Sequence, residues 1–270
     1  MSGPTWTPTA ETPPIFARLS GDYNPVHMDA AHARAAGFGD VIVHGMCTLG
    51  AAARAAGLAA PQGTVLRKLD VRFANPVLPG EQVAFDWTVK DKDGELKVTL
   101  STLLPGARKV MSPANFIFTS GDSAVALPDP SEIAPHEGDV AGEAFSFDAA
   151  QLAEYDQITV GTEREGSEAV PPMVALLGMT GALEVAFERL QPPERAGTWV
   201  HLRQGAVFFA PIQAGERYSC RIQTARNVVR ESKPGVMITI PFVVERADGD
   251  GGLVATGSCG LLYAFSEEAS

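Results

Sequence analysis

An internal repeat restricts the fold of this 270-residue chain more than any other feature. Residues 73–81 read FANPVLPGE, and residues 208–216 read FFAPIQAGE. Superposing Pro76 on Pro211 also superposes the glycine and the glutamate that end each segment. Self-similarity of this kind indicates a duplicated structural unit, so one plan is expected to occur twice in the fold.

Each half shows the same order of predicted elements. An apolar helix comes first, at residues 45–57 and again at 173–190, and alternating apolar and polar residues then indicate four strands. A helix followed by a run of antiparallel strands, occurring twice, is an α+β arrangement. The predicted strands are 65–73, 81–90, 95–104 and 110–118 in the first half, and 198–209, 216–229, 236–246 and 253–265 in the second.

Composition and charge disfavour several classes of protein. The formal net charge is −11, which argues against nucleic acid or an anionic membrane as a partner, because both need a basic face. The three cysteines (Cys47, Cys220 and Cys259) form no C-x-x-C pair, so a zinc ribbon or redox dithiol is not expected. The apolar run at 46–60 is too short to span a bilayer. We expect a cytoplasmic protein, since neither a secretory signal nor a Ser-Lys-Leu terminus is found.

A short polar motif near the start of the chain carries the candidate chemistry. Residues 19–27 read LSGDYNPVH, in which a turn of Gly, Asn and Pro type separates Asp22 from His27. Such a turn can aim a carboxylate and an imidazole at one small volume, where together they could hold and deprotonate a water. The alternative is a helix cap formed by Ser20 or Asp22, which would leave His27 without a role.

A second segment, residues 43–47, reads VHGMC and opens the first apolar helix. The N-terminus of a buried helix presents backbone N–H groups that have no partner within the helix, and these can stabilise a developing oxyanion. Gly45 and Met46 are the residues predicted to supply them. We interpret His44 as structural.

Together the two segments resemble the hydratase 2 signature of the MaoC-like (R)-specific enoyl-CoA hydratases, in particular the hydratase unit of peroxisomal multifunctional enzymes. The likeness runs through residues 16–27, 36–50 and 71–80, and covers most of residues 15–120. It implies that each half is a hot dog, a curved antiparallel sheet around one helix, and that the chain is a double hot dog. It also implies reversible syn hydration of trans-2-enoyl-CoA to (R)-3-hydroxyacyl-CoA, a lyase reaction of fatty acid metabolism.

The resemblance assigns a role to each candidate residue. Asp22 and His27 would be the catalytic pair and share one water, Asn24 would orient Asp22 or the water or simply hold the turn, and the backbone N–H of Gly45, with Met46, would bind the thioester oxygen. No cofactor is expected, because the CoA thioester is the substrate, and no metal, because the five histidines lack a ligand spacing such as H-E-x-x-H. Two alternatives stay open: a biosynthetic dehydratase of carrier-bound or branched 3-hydroxyacyl thioesters, and a non-catalytic acyl-thioester-binding subunit.

The second half keeps the outline of the motif without its chemistry. Residues 152–159 read LAEYDQIT where the first half reads SGDYNPVH, and Pro171 and Pro172 stand where the first half has His44 and Gly45. Proline has no N–H to offer an oxyanion. We therefore expect the second half to line the acyl pocket. The candidate lining residues are Met173, Leu176, Leu177 and Met179.

A stretch rich in Pro, Gly and acidic residues, 121–146, is typical of a linker. The predicted organisation is a catalytic unit at 1–125, a linker at 126–145 and a degenerate, non-catalytic unit at 146–270. The two units would pair as two single hot dogs do in a dimer, and the resemblance implies that the whole chain forms a homodimer.

Overall fold

The computed structural model describes residues 3–123, 125–160, 171–190, 197–232, 235–248 and 251–265. The first half combines short N-terminal helices with one long helix and an antiparallel set of strands. Its elements are β1 (Thr5–Trp6), α1 (Thr12–Ser20), α2 (Pro25–Met28), α3 (Ala30–Ala35), α4 (Gly45–Leu58), β2 (Thr64–Phe73), β3 (Val83–Lys92), β4 (Glu95–Leu104), a 3₁₀ turn (Pro105–Ala107) and β5 (Arg108–Ser120).

The second half repeats this order, with one continuous helix at residues 149–160 in place of the pair α1 and α2. Its elements are α5 (Pro130–Ile133), β6 (Val140–Ala141), α6 (Ala149–Val160), a 3₁₀ turn (Pro172–Leu176), α7 (Gly178–Leu190), β7 (Gly197–Phe208), β8 (Tyr218–Ile222), a 3₁₀ turn (Thr224–Arg226), β9 (Val228–Ser232), β10 (Gly235–Arg246) and β11 (Leu253–Phe265).

The strands form one antiparallel sheet of eleven strands, in the order β1-β3-β4-β5-β2-β7-β11-β10-β8-β6, with β9 paired to β10. The two halves meet where β2 pairs with β7, and Lys68 lies opposite Val207 in that register. Across the same junction the Arg203 guanidinium donates to both carboxylate oxygens of Asp70, at 2.9 and 3.0 Å. The duplication predicted from the sequence is therefore built as two sheets joined edge to edge.

The long helix of the first half is rich in Ala and Gly because it is packed on several sides. Nine residues of α4 are buried, and a Cβ placed on Gly50 would collide with the Tyr155 hydroxyl of α6. Small side chains let the two helices approach closely at this point. Buried apolar residues of both halves form a single core cluster, so the two helix-and-sheet units share one core.

Two predicted elements of the second half are wrong in detail. The helix expected at 173–190 begins as the 3₁₀ turn and becomes α-helical only at Gly178, where the lack of a Cβ leaves room for the ring of Phe145. The strand expected at 216–229 is divided by a 3₁₀ turn into β8 and β9, both of which pair with β10.

The segment predicted as a linker carries regular structure. Within residues 126–145 the structure contains α5 and β6, and β6 pairs with β8. Arg221 of β8 donates to the Ile133 carbonyl at 2.7 Å and to the Asp139 carboxylate at 3.2 Å. These contacts attach the connecting segment to the strands of the second half, which its composition did not predict.

The composition of residues 91–94 (DKDG) and 247–252 (ADGDGG) predicts two hairpin turns. The first is confirmed: β3 ends at Lys92, β4 begins at Glu95, and both intervening residues have positive φ, as in a type I′ turn. In the second predicted turn, 247–252, residues 249–250 lie outside the described part of the chain. Among the described residues no helix is long and apolar enough to cross a membrane.

Candidate active site

The motif at 19–27 folds as a helix, a turn and a second short helix. Gly21 ends α1 in the left-handed conformation, with φ 77°, and its N–H donates to the Ala17 carbonyl at 2.8 Å. Asn24 then caps α2, since its side-chain oxygen accepts from the Val26 N–H at 3.2 Å. The residue that caps α2 is thus Asn24, and not Ser20 or Asp22 as in the capping alternative. The Asp22 carboxylate accepts within the turn, from the Asn24 N–H at 3.2 Å.

His27 is held with one ring nitrogen facing away from the protein backbone. Its Nδ1 lies 2.7 Å from the carbonyl oxygen of Ile42. A carbonyl can only accept, so Nδ1 carries the proton and Nε2 keeps a lone pair. This is the tautomer that a general base requires, and the main chain selects it.

His44 lies against the same pair of residues. It is 1% exposed, its ring stacks on that of His27 with centroids 3.8 Å apart and planes at 25°, and its Nε2 lies 2.9 Å from the main-chain carbonyl of Asp22. The other nitrogen, Nδ1, is buried and has no hydrogen-bond partner among the described residues. The structural role predicted for His44 from the sequence did not include these contacts with Asp22 and His27.

A cavity of about 380 Å³ brings the candidate residues together. Its lining includes all five residues predicted from the sequence: Asp22, Asn24, His27, Gly45 and Met46. Gly45 and Met46 are the first residues of α4, and the first amide bonded to the His44 carbonyl is that of Thr48, so the amides of 45–47 precede the hydrogen-bond ladder of the helix. The turn and the helix N-terminus thus open onto one space.

The same three side chains have the composition of a metal site. One ligand atom from each of Asp22, His27 and His44 lies within 4.8 Å of the others. The two imidazoles are stacked, however, so their in-plane lone pairs run in nearly parallel planes and do not converge on one ion at the ~2.1 Å that a metal–nitrogen bond requires. The expectation of a metal-free site stays a prediction.

The second half supplies a large part of the cavity wall. Of the four lining residues predicted there, Met179 lines this cavity; Met173 lines a second cavity, and Leu176 and Leu177 are buried outside the lining of either. The sequence did not single out the other contributors from this half. They are Thr180, Leu183 and Phe187 of α7, Trp199–Leu202 of β7, and Leu261 of β11.

His201 is the most polar of these unpredicted residues. Its ring centroid lies 5.0 Å from that of Phe73, and its Nε2 lies 3.0 Å from the Arg203 carbonyl. Extending the repeat from Pro76 and Pro211 places Leu66 at the corresponding position of the first half. That exchange of an apolar residue for an imidazole was a signal in the sequence that could have identified it.

A second cavity, of about 640 Å³, lies at the counterpart of the site in the second half, and its lining includes Thr159, Pro171 and Pro172. The helix α6 runs straight through residues 152–159, because Ala153 stands where Gly21 ends α1 in the first half. Asp156, at the position of Asn24, forms an ion pair with Arg54 of α4, and Thr159, at the position of His27, donates to the Tyr155 carbonyl at 2.7 Å. Among the described residues this half therefore repeats the scaffold without an Asp/His pair.

Three histidines around the cavity are held neutral by burial. Burial lowers the pKa of His27, and the Asp22 carboxylate and the Ile42 carbonyl oppose that shift only in part. Burial and the neighbouring His27 lower the pKa of His44 to about 3, and burial lowers the pKa of His201 to about 4. Near neutral pH the cavity therefore presents imidazoles and not imidazolium ions.

This arrangement predicts acid-sensitive stability. An unfolded histidine takes up its proton near pH 6.5 and these folded ones only at lower pH, so the unfolded state binds more protons in between. The free energy of unfolding should fall as pH drops below about 6.5, by up to about 1.4 kcal/mol per pH unit for each histidine that stays neutral. Urea unfolding at pH 7.5, 6.0 and 5.0 measures this slope. His201→Gln should make it shallower, and a stability that stays flat over this range would contradict the prediction.

Comparison with known proteins finds similarity within the first half of the chain. Residues 4–103 match the family model described as MaoC like domain. The chain is 42% identical over 80 residues to peroxisomal multifunctional enzyme type 2 of Drosophila melanogaster, 45% over 69 residues to peroxisomal enoyl-CoA hydratase 2 of Arabidopsis thaliana, and 42% over 80 residues to 3-hydroxyacyl-thioester dehydratase Y of Mycobacterium tuberculosis. These matches cover 29%, 25% and 28% of this chain, and 13%, 22% and 28% of the three relatives.

Solved structures resemble the whole chain. A MaoC domain protein dehydratase of Chloroflexus aurantiacus superposes with a TM-score of 0.72 at 11% identity, covering 98% of this chain and 94% of that one. A conserved protein of Mycobacterium tuberculosis described as having a double hotdog fold superposes with a TM-score of 0.70 at 13% identity, covering 97% and 94%. The double hot dog predicted from the sequence is confirmed as the fold.

Proposed function

We propose that this protein is a hydratase/dehydratase that adds water reversibly to a trans-2-enoyl-CoA and gives the (R)-3-hydroxyacyl-CoA, because residues 4–103 match the MaoC like domain and the fold is a double hot dog. The observation that carries the proposal is the shared cavity. Asp22, the base tautomer of His27 and the N-terminus of α4 all face it, so a water and a thioester oxygen can be held side by side.

The acid/base step follows from the tautomer of His27. A water held between Asp22 and His27 gives a proton to Nε2 of His27 while its oxygen bonds to C3 of the enoyl group. The π electrons move towards the thioester, and C2 then takes a proton from the same Asp22–His27 pair, which restores the resting state. Addition of both parts of water from one side of the double bond is syn addition, as expected when a single pair serves both proton transfers.

The negative charge that develops on the thioester oxygen is met by the start of α4. The amides of Gly45 and Met46 precede the hydrogen-bond ladder, and the helix dipole places positive partial charge at this end. Gly45 leaves room for the thioester, since a Cβ there would already lie 3.3 Å from the Phe73 ring. Asn24 contributes by capping α2, which fixes the turn that carries Asp22.

Hydration of crotonyl-CoA is the direct test. The absorbance of the conjugated enoyl thioester should fall when the protein is added, and chiral analysis of the product should give the (R) alcohol. A panel of 2-enoyl-CoA substrates of increasing chain length covers a preference for long chains. An enzyme-dependent rate indistinguishable from the buffer control on the entire panel would reject the hydratase proposal.

A dehydratase working in the biosynthetic direction on carrier-bound substrates is the second candidate function. It is favoured by the likeness to a protein named 3-hydroxyacyl-thioester dehydratase Y, and the same residues would catalyse the reverse step. Comparing a 3-hydroxyacyl group on CoA with the same group on an acyl carrier protein distinguishes the two. The net charge of −11 disfavours docking of a broad acidic surface such as that of an acyl carrier protein.

The second half is proposed to select the acyl chain. Leu183 of α7 is buried and lines the cavity, so Leu183→Trp should overfill the region that a long chain enters. Overpacking of this kind costs about 1–3 kcal/mol, so kcat/KM for octenoyl-CoA should fall about 10- to 100-fold while that for crotonyl-CoA changes little. The matched control is Val185→Trp, on the exposed face of the same helix. Equal losses on the short and long substrates would place the acyl chain elsewhere.

Two further expectations concern the assembly and the location of the protein. The homodimer is part of the proposal, and sedimentation of the whole chain tests it. A cytoplasmic location stays a prediction, and the curated relatives include proteins named peroxisomal.

A further inference from the structure

We infer that His44 is a positioning residue that aligns Asp22 and His27 on their shared water. The inference rests on the proposed function and goes beyond it, because His44 itself exchanges no proton with the substrate. The carrying observation is that one buried ring contacts both members of the pair, by a hydrogen bond to one and by stacking on the other.

The hydrogen bond fixes the carboxylate through its backbone. His44 Nε2 lies 2.9 Å from the main-chain carbonyl of Asp22, so Nε2 carries the proton and donates it. Asp22 sits in a turn between two helices, and its own N–H is held only by the Ser20 hydroxyl, at 3.2 Å. The donation from His44 ties this turn to the first residues of α4, where the thioester oxygen is proposed to bind.

The stacked ring fixes the imidazole. His27 is anchored at Nδ1 by the Ile42 carbonyl, but a single hydrogen bond leaves its ring free to rock about that contact. The centroid of the His44 ring lies 3.8 Å from that of His27, and the His44 ring also contacts that of Phe16, with centroids 4.8 Å apart. The layer of Phe16, His44 and His27 therefore sets the direction in which Nε2 of His27 points.

His44 has to stay neutral to do this. The titratable groups whose charges act on it are His27 and Asp22, and burial together with His27 lowers its pKa to about 3. A neutral ring can donate through Nε2 and stack without repelling the imidazolium that forms on His27 during turnover. The Nδ1 of His44 is buried and has no hydrogen-bond partner among the described residues. The donation from Nε2 and the stacked ring are therefore the contacts that account for a histidine at this position.

Three substitutions separate the two contacts. His44→Phe keeps a ring and removes the donor, His44→Gln keeps a donor and removes the ring, and His44→Leu removes both. Since a misplacement of about 1 Å in an active site can cost about 10²-fold, we expect kcat to fall about 10- to 100-fold in the first two and further in the third, with KM within about threefold of the wild type. His32→Gln, an exposed histidine of α3, is the matched control and should retain full activity.

The pH profile and the ring nitrogens distinguish positioning from other roles. The acid limb of kcat/KM, which reports the catalytic pair, should persist in all three variants, whereas its disappearance would make His44 the base and overturn the inference. ¹⁵N imidazole spectra should show His27 as the Nδ1–H tautomer in the wild type and as a mixture in His44→Leu. Unchanged His27 signals, or kcat within twofold of the wild type in every variant, would leave His44 with packing alone.

The readouts also separate this inference from the proposed function. If the wild type hydrates no enoyl thioester, the proposed function fails, and the tautomer of His27 in the variants still decides the role of His44. If the wild type is active and the variants match it, the inference about His44 fails alone.

Discussion

Asp22→Asn and His27→Ala should each lower kcat for hydration by about 10²–10⁴-fold, because a positioned acid or base contributes a factor of this size. Asparagine cannot take up a proton, and alanine removes the lone pair that the Ile42 carbonyl directs into the cavity. The double variant should be little slower than the slower single variant, since both groups act on one water. Absorbance assays with crotonyl-CoA measure the rates of the two single variants and of the double variant.

Asp29→Asn is the matched control for the loss of a carboxylate close to the motif. Asp29 caps α3 by accepting from the Ala31 and His32 N–H groups, and asparagine caps a helix about as well as aspartate. Its activity should match the wild type. Circular dichroism of each variant establishes that the fold is intact. If either Asp22→Asn or His27→Ala retains the wild-type kcat, that residue has no part in proton transfer.

Gly45→Pro should abolish most of the activity with Asp22 and His27 still in place. It removes one backbone donor from the proposed oxyanion site, and a single donor of this kind is worth about 3–4 kcal/mol, or roughly 10²–10³ in kcat. The variant should still fold, because proline is favoured in the first turn of a helix and His44 already has the extended backbone, with ψ 131°, that a following proline requires.

Two companion variants give this experiment its controls. Gly45→Ala keeps the N–H and adds a Cβ that would lie 3.3 Å from the edge of the Phe73 ring, so it should lose far less activity than Gly45→Pro. Pro172→Gly restores an N–H at the equivalent place in the second half and should leave turnover nearly unchanged. If Pro172→Gly is the damaging change, the reacting half has been assigned wrongly.

The local parts of the site could be predicted because their causes are local. Gly21 ends a helix in the left-handed conformation and Asn24 caps the next, so the spacing of Asp22 and His27 is set by turn chemistry within six residues. The repeated segment around Pro76 and Pro211 likewise identified the duplication before any packing was known. Hydrophobic periodicity placed four of the five first-half strands to within about two residues, although it missed β1 and did not predict the break between β8 and β9.

The identity of the residues that face the cavity from the second half was decided by tertiary structure. Whether His201 points at the cavity depends on the pairing of β2 with β7, and a register shift by one residue would turn it to the other face of the sheet. The position of α7 relative to residues 19–27 depends in turn on how α4 and α7 pack against the joined sheet. Neither relation can be predicted from residues that are neighbours in the sequence.

The sequence by itself therefore determined the duplicated plan, the Asp22–His27 motif and the loss of that motif in the second half, because these follow from residue type and short-range spacing. Only the tertiary structure decided the stack of His44 on His27, the hydrogen bond from His44 to the Asp22 carbonyl, and the ion pair of Arg54 with Asp156 beside the second cavity. Those contacts join residues 17 to about 100 positions apart, and their geometry is fixed by the packing of whole helices and not by the order of residues along the chain.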